Sequence, residues 1–405
     1  MEDPNARVLV TTKSFATGQI VGVGQAPAQI SYASDLAAYT AELQQIFQSA
    51  SQCLVLGARY QAGDIETHSF VQRLVTTNQT IMPDLTRASV YGYYSYQVAE
   101  SLQLTAGLSY DYLEYPQNNE IPPVSSGQAH KDQVSPKAGF RWTPLQDTTC
   151  RGVWTRSLGG VFYDASVRLE PTQIAGFNQA LRSILPESVA GLVPGSEFES
   201  FGLAFDQKFP TRTYASVVGE LLTSDGERTV GTLDAFGPAL LDIPSGVRQT
   251  LEFEEKSLAV ILNQLVGEQF AFGASYRVSH ALLEDRVLAV ASSLSGFFSP
   301  SANRDVSATL QQVNLYAVFN HRCGFFSKVE SVWSAQSNEG YSAPLPGDDF
   351  WQFNAFVGYR FPRRVAESQL GLLNIGDQNY KLNPLNLYSE LPRSRTLFAG
   401  LKFNF

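Results

Sequence analysis

Apolar and polar side chains alternate along much of the chain with a period of two residues. Between Leu102 and Tyr112 the even-numbered positions are Leu, Leu, Ala, Leu, Tyr and Tyr, whereas the odd-numbered ones are Gln, Thr, Gly, Ser and Asp. The same alternation recurs at 270–278, 351–361 and 397–405. Because successive side chains of a β-strand point to opposite faces, each segment predicts a strand with one apolar and one polar or small-residue face.

Sixteen strands follow from these patterns, with boundaries good to about 2–4 residues. They are expected near 6–14, 35–48, 52–67, 86–98, 101–114, 132–143, 147–157, 196–209, 212–226, 247–264, 268–283, 306–320, 323–336, 349–361, 365–375 and 395–405. The connections alternate strictly in length, since seven have two or three residues and eight have 12 to 38. Short turns on one side and long loops on the other are typical of transmembrane β-barrels.

The sequence therefore predicts an all-β fold in a single domain, residues 1–405: a transmembrane antiparallel up-and-down β-barrel of about 16 strands, with short periplasmic turns and long extracellular loops. The predicted strands reach the roughly 9–11 residues that a tilted spanning strand needs, and no apolar run is long enough for a spanning helix. We expect the chain in the cell outer membrane. The even strand count would put both termini on the periplasmic side.

The longest predicted loop, 158–195, contains apolar residues at helical spacing: Ile174, Phe177, Leu181 and Ile184. We expect a short amphipathic helix at about 173–184. Such a helix either packs within the outer loop or folds into the pore as a constriction.

Charged side chains on the polar face of the predicted strands are the candidate functional residues. They are Arg59, Arg87, Arg141, Arg277, Lys328 and Glu330. Rings of charged side chains set the selectivity of pores, and a basic lumen would favour anionic or sugar-like solutes. Alternatively these charges pair across strands, as Lys328 and Glu330 are placed to do.

Composition excludes several classes of function. The net charge is −9 and no basic cluster stands out, which argues against a nucleic-acid partner. Three widely spaced cysteines make a disulfide framework or a zinc site a poor expectation. No GxSxG, HExxH or Walker motif is present, so we expect no catalytic residues, no cofactor and no metal site. One weak arrangement of metal-ligand residue types is His280 with Glu284 and Asp285.

Three stretches resemble one known family, the TonB-dependent outer-membrane receptors. Residues 135–144, SPKAGFRWTP, resemble that family's SPR-x-G-x-x-Y-x-P strand, and 148–157 resemble the strand that follows it. Residues 373–380, LNIGDQNY, resemble the NLFD-x-x-Y element near the family's C-terminus. Residues 401–405, LKFNF, resemble the terminal aromatic signal that outer-membrane proteins in general present to the barrel-assembly machinery, with Phe403 and Phe405 as its aromatic residues.

This resemblance implies several partners: outer-membrane lipid, the barrel-assembly machinery, and TonB or another periplasmic partner acting through a missing N-terminal region. It also implies a barrel of 22 strands and an N-terminal plug, whereas about sixteen strands and no plug or TonB box are found here. The N-terminus lacks a secretory signal. The chain is expected to be a fragment without the plug and about six strands, or a divergent sixteen-stranded barrel.

Three functions are compatible with such a barrel. The first is solute binding and uptake by a TonB-dependent receptor. The second is a plugless pore or a polysaccharide export channel whose periplasmic helical-repeat part is missing. The third is a structural or adhesive barrel whose loops bind other surfaces.

Overall fold

The computed structural model describes residues 2–3, 7–14, 16–160, 168–179, 193–236, 239–287, 303–341, 347–380, 382 and 394–403. Within these ranges the one helical element is a 3-10 turn at Pro362–Arg364, and none of the helical structure is long and apolar enough to cross a membrane. The strands up to the longest loop are β1 (Glu2–Asp3), β2 (Arg7–Lys13), β3 (Ile20–Pro27), β4 (Gln29–Gln48), β5 (Gln52–Gln72), β6 (Thr76–Ile81), β7 (Asp84–Ala99), β8 (Leu102–Asn118), β9 (Ser125–Leu145) and β10 (Thr148–Leu158). The remaining strands are β11 (Gln173–Ile174), β12 (Phe177–Asn178), β13 (Glu197–Lys208), β14 (Thr213–Phe236), β15 (Ala239–Val266), β16 (Phe270–Val287), β17 (Asn303–Asn320), β18 (Phe325–Glu339), β19 (Asp349–Arg360), β20 (Ala366–Leu373) and β21 (Thr396–Phe403).

Fifteen of these strands form one antiparallel wall in chain order: β4, β5, β7, β8, β9, β10 and then β13 to β21. They correspond to the last fifteen of the sixteen predicted strands. In the described part of the chain no ladder joins β21 to β4, so these two strands are the edges of the wall. The all-β, antiparallel, up-and-down architecture is as predicted.

The alternation along β8 illustrates how the sequence builds this wall. Leu104, Leu108 and Tyr110 are exposed on the outer face, whereas Ser109 and Asp111 are buried on the inner face. An apolar outer face suits lipid contact and a polar inner face suits a lumen, as in transmembrane barrels.

All seven predicted short turns lie at one end of the wall; the structure has three of them at 49–51, 100–101 and 146–147. At the opposite end four predicted loops are wrong, because most of 15–34, 68–85, 115–131 and 227–246 is strand. The longest strands are β14 and β15, of 24 and 28 residues. Strands of this length exceed the roughly 9–11 residues that span a membrane. The part outside the membrane needs a ladder partner for its backbone but no continuous apolar face.

The first predicted strand, 6–14, forms but does not belong to the wall. It is β2, which pairs with β3 and runs parallel to residues Thr232–Phe236 of β14 at the loop end. The expectation that the N-terminal strand begins on the short-turn side is therefore wrong. The expectation fails because β2 pairs with the end of β14 that extends past β13 and would otherwise have no backbone partner on that side.

The β2–β3 hairpin, residues 230–236 of β14 and residues 239–247 of β15 together form a structure that we call the mouth bridge. Val8 and Leu233 pack with Val71 of β5, so the bridge joins two wall regions that lie far apart in strand order. Asp242 forms an ion pair with Arg73 and accepts backbone hydrogen bonds from Leu74 (2.8 Å) and Val75 (3.3 Å).

Candidate functional site in the lumen

A segment of the longest loop enters the lumen. The base of that loop is closed by backbone hydrogen bonds from Gly159 to Ser196 and from Gly195 to Gly159. Residues 168–179, which we call the luminal insertion, lie against the inner faces of β4, β7, β9 and β10. Of the two arrangements expected from the sequence, this part of the loop has the second, since it lies inside the pore.

The predicted helix at 173–184 is wrong for its first part. Residues 173–178 form the β11–β12 hairpin, and 180–184 lie outside the described residues. Ala175 (φ 50°) and Gly176 (φ 84°) occupy the two central turn positions, and a type I′ hairpin needs positive φ at both. The helical spacing of Ile174 and Phe177 has another cause, since the two side chains contact different parts of the wall.

Two wall glycines make room for the tip of the hairpin. A Cβ on Gly139 of β9 would lie 2.6 Å from Ile174 Cγ2, and one on Gly202 of β13 would lie 2.6 Å from Phe177 Cδ1. Ile174 is buried in a cluster with Tyr91 and Tyr93 of β7. The hairpin therefore fits the wall at van der Waals contact.

Polar contacts hold the start of the insertion, and Lys137 of β9 is their centre. Its side chain is 2% exposed, and Nζ donates to Tyr93 Oη (2.9 Å), Ser109 Oγ (2.9 Å) and Glu170 Oε1 (3.2 Å). Tyr93 Oη in turn donates to Glu170 Oε1 at 2.5 Å. A buried ammonium is costly unless it is paired and hydrogen-bonded, and Glu170 supplies the counter-charge.

Glu42 of β4 binds the insertion from the opposite side. Its carboxylate accepts backbone hydrogen bonds from Leu169 (2.9 Å) and Glu170 (3.0 Å) and a side-chain hydrogen bond from Tyr91 Oη (2.8 Å). The insertion is thus clamped between β4 and β9, which are separated by three wall strands.

Arg151 of β10 makes the third polar contact. Its Nε and Nη2 donate to the Asp206 carboxylate at 2.7 and 3.3 Å, and Nη1 donates to the carbonyl of Ala175 at 3.2 Å. Its guanidinium also lies 5.3 Å from the ring centroid of Phe177.

A chamber of about 560 Å³ lies between the hairpin and the short-turn end of the wall. Its polar wall residues are Cys53, Tyr93, Ser95, Gln103, Thr105, Arg141, Thr149, Arg151 and Asp206. Pro171 and residues 173–176 of the insertion form its roof. The insertion therefore separates the chamber from the loop end of the wall.

The six charged residues predicted to line the lumen lie on five strands and at different heights. Arg59 and Arg87 are buried, and Arg87 pairs with Asp111 at 2.8 Å. Lys328 and Glu330 pair with each other at 2.8 Å, but both lie on β18, so this pair forms along one strand and not across strands as expected.

Of these six residues, Arg141 alone lines the chamber, whereas Arg277 lies on β16, remote from it. In the assembly signal, Phe403 is exposed near the end of β21, and Phe405 lies outside the described residues.

The suggested cluster of metal-ligand types is wrong. His280 and Glu284 are exposed on one face of β16, whereas Asp285 is buried on the other and pairs with Arg304 at 2.8 Å. No group of three or more potential metal ligands occurs in the described part of the chain.

Glu42, Lys137 and Glu170 were not among the functional residues predicted from the sequence. Lys137 has the same strand parity as Arg141 in the same motif, so the alternation could have identified it as a lumen residue. Glu42 and Glu170 carried no such signal, because their role depends on where the loop goes.

Comparison with known families bears on this architecture. Residues 9–183 match the family described as TonB dependent receptor-like, beta-barrel. This part of the chain, less than half of its length, is therefore similar to the β-barrel of the TonB-dependent receptors. This family lies in the outer membrane of Gram-negative bacteria, as predicted for this chain. The matched range includes both clamping strands and the luminal insertion.

Solved structures show the same fold. Copper transporter OprC is 12% identical with a TM-score of 0.52, covering 93% of this chain and 58% of that one. The siderophore receptor PiuA from Acinetobacter baumannii is 13% identical with a TM-score of 0.51, covering 94% and 57%. The outer membrane transporter YddB from Escherichia coli is 13% identical with a TM-score of 0.50, covering 98% and 58%. The chain thus spans under two thirds of each of these structures, and no curated protein matches its sequence.

Proposed function

We propose that this chain forms the wall and the gated lumen of an outer-membrane solute-uptake receptor. The observation that carries the proposal is the luminal insertion, which lies across the lumen and contacts β4, β7, β9 and β10 largely through side chains. A solute that enters at the loop end would reach the chamber only after this segment moves.

The contacts favour a segment that can leave. The two carboxylates that anchor this segment, Glu42 on β4 and Glu170 on the insertion, bind groups that water could also solvate once the insertion withdraws. No ladder joins the hairpin to the wall within the described residues, because β11 and β12 pair with each other. Breaking a continuous ladder would require many hydrogen bonds to open together, whereas these side-chain contacts are few.

TonB is the partner included in this proposal, since the family that residues 9–183 match is named for dependence on it. Transport rather than catalysis is proposed on similar grounds, because the family and the named structural neighbours are receptors or transporters. Uptake of the solute should therefore disappear in cells that lack TonB.

Planar-bilayer conductance tests the gate directly. Because Gly159 and Gly195 are hydrogen-bonded to each other, residues 161–192 can be replaced by a short Gly-Ser linker without moving β10 or β13. The unmodified chain should pass little current, and the variant should pass a large steady current. A matched control is Glu268→Ala in a short turn outside the lumen, which should behave like the unmodified chain.

Equal, low conductance of the unmodified chain and the deletion variant would contradict the gate. A large current through the unmodified chain would favour a diffusion or export pore instead.

A further inference from the structure

Arg141 differs from the other cations predicted to line the lumen. Arg87 has Asp111, Lys328 has Glu330, and Arg277 lies within the electrostatic reach of Glu220. Among the described residues none lies at hydrogen-bond or ion-pair distance from Arg141, which lines the chamber, and the carboxylate within its electrostatic reach, Asp206, already binds Arg151.

The strand register places a second cation directly opposite. Arg141 of β9 is the ladder partner of Arg151 of β10, and both side chains line the chamber. Like charges directly opposite each other on one face of a sheet are destabilising. Asp206 lies within electrostatic reach of both arginines but carries only one charge, and its carboxylate accepts from Arg151 Nε and Nη2 and from Ser216 Oγ (2.6 Å).

The rest of the chamber wall supplies neutral hydrogen-bonding groups. Gln103 of β8 is the other ladder partner of Arg141, and Ser95, Thr105 and Thr149 also line the space. The volume, about 560 Å³, falls within the range of about 300–1,000 Å³ that small-molecule pockets have.

We propose that the chamber binds an anionic oxygen group, a carboxylate or a phosphate, between Arg141 and Arg151. The planar guanidinium fork matches such a group in a two-pronged hydrogen bond, and a bound anion removes the repulsion between the two arginines. The inference rests on the proposed function, because it names the chemistry of the solute that the luminal insertion admits.

Equilibrium binding to the full chain in neutral detergent micelles tests this site, with isothermal titration calorimetry at low salt. The probes are inorganic phosphate, glucose 6-phosphate and glucose. Both phosphates should bind and glucose should not, which separates an anionic group from a sugar as the recognised element. Arg141→Gln should weaken phosphate binding by about tenfold or more. Arg322→Gln is the matched control in an exposed short turn and should bind phosphate as the unmodified chain does.

A second variant keeps the test decisive if Arg141→Gln does not fold. Gln103→Glu places a carboxylate opposite Arg141, where facing Cβ atoms are about 4.5–5.5 Å apart. It should abolish phosphate binding while leaving the thermal stability of the chain unchanged or higher.

Phosphate binding that survives Gln103→Glu, or glucose binding as tight as that of glucose 6-phosphate, would overturn the proposal. Phosphate can bind in the chamber without movement of the luminal insertion, so the experiments test the binding site and the gate separately. Arg141-dependent phosphate binding together with an ineffective deletion of 161–192 would reject the gate alone.

Discussion

The luminal insertion and the mouth bridge both cross the lumen of this barrel, but they are held there by different interactions. The mouth bridge is part of the sheet, since β2 continues the ladder of β14, and its carboxylates are paired, Asp234 with Lys13 of β2 and Asp242 with Arg73 beside β5. The luminal insertion shares no ladder with the wall among the described residues, and side chains such as Lys137 and Glu42 hold it. The first arrangement suits a fixed cover and the second a segment that moves.

The largest expected effect separates these two roles at the mouth. Asp242→Ala removes a carboxylate that is fully buried and leaves Arg73 and two backbone N–H groups without it. Breaking a buried pair in this way costs about 3–5 kcal/mol, so the urea midpoint of unfolding in micelles should fall strongly. Conductance should stay low, because the insertion is untouched.

Asp147→Ala is the control for that comparison. Its ion pair with Lys208 is exposed and 3.6 Å long, and such pairs contribute about 0–1 kcal/mol. A large current through the Asp242→Ala chain would mean that the mouth bridge, and not the insertion, is the gate.

Substitutions on the outer face of the wall give reference changes in the free energy of unfolding for both regions. Leu108→Arg puts a charge on the outer face several residues above the short turn at 100–101, and should cost about 2–4 kcal/mol if that depth is the bilayer midplane. Leu104→Arg lies opposite Tyr96, close to the aromatic residues at the short-turn end, and should cost about 0–1 kcal/mol.

Thr105→Arg provides the inward-facing comparison. Thr105 lines the chamber, so an arginine there should be tolerated. Unfolding of the three variants in micelles or vesicles measures these differences. Equal tolerance at positions 104, 105 and 108 would contradict the assignment of inner and outer faces.

The wall could be predicted from the sequence because its signal is local. Each strand carries its own alternation, as 102–112 does, and each short turn separates two such patterns. Residues 227–236 extend β14 and pair with 239–250 of β15, and residues 232–236 have a second partner, β2, that lies more than two hundred residues earlier in the chain. The local pattern does not contain that information.

The lumen site could be predicted only in part for the same reason. Arg141 was found from strand parity, but its lack of a hydrogen-bonded carboxylate depends on Arg151 binding Asp206. The spacing of Ile174 and Phe177 suggested one helical face, whereas Gly139 and Gly202 receive them separately. Which wall residue meets which loop residue is decided by packing across the lumen.

Apart from the comparison variants, the smallest expected effect tests how closely the insertion fits the wall. Gly139→Ala adds a methyl group that would lie 2.6 Å from Ile174 Cγ2 and 3.2 Å from the backbone oxygen of Gly152. Because overpacking usually costs about 1–3 kcal/mol, the insertion should loosen, and limited proteolysis within 168–179 should become faster while the wall stays folded.

The double variant Gly139→Ala/Ile174→Ala gives the added methyl group the space of the lost side chain. A double-mutant cycle should then show coupling of about 0.5–3 kcal/mol between the two positions. Additive effects would mean that the two residues do not touch and that the insertion is not seated at Gly139. A barrel whose movable segment is held by contacts of this size can be opened without unfolding its wall, whereas the mouth bridge cannot be moved without breaking part of the sheet.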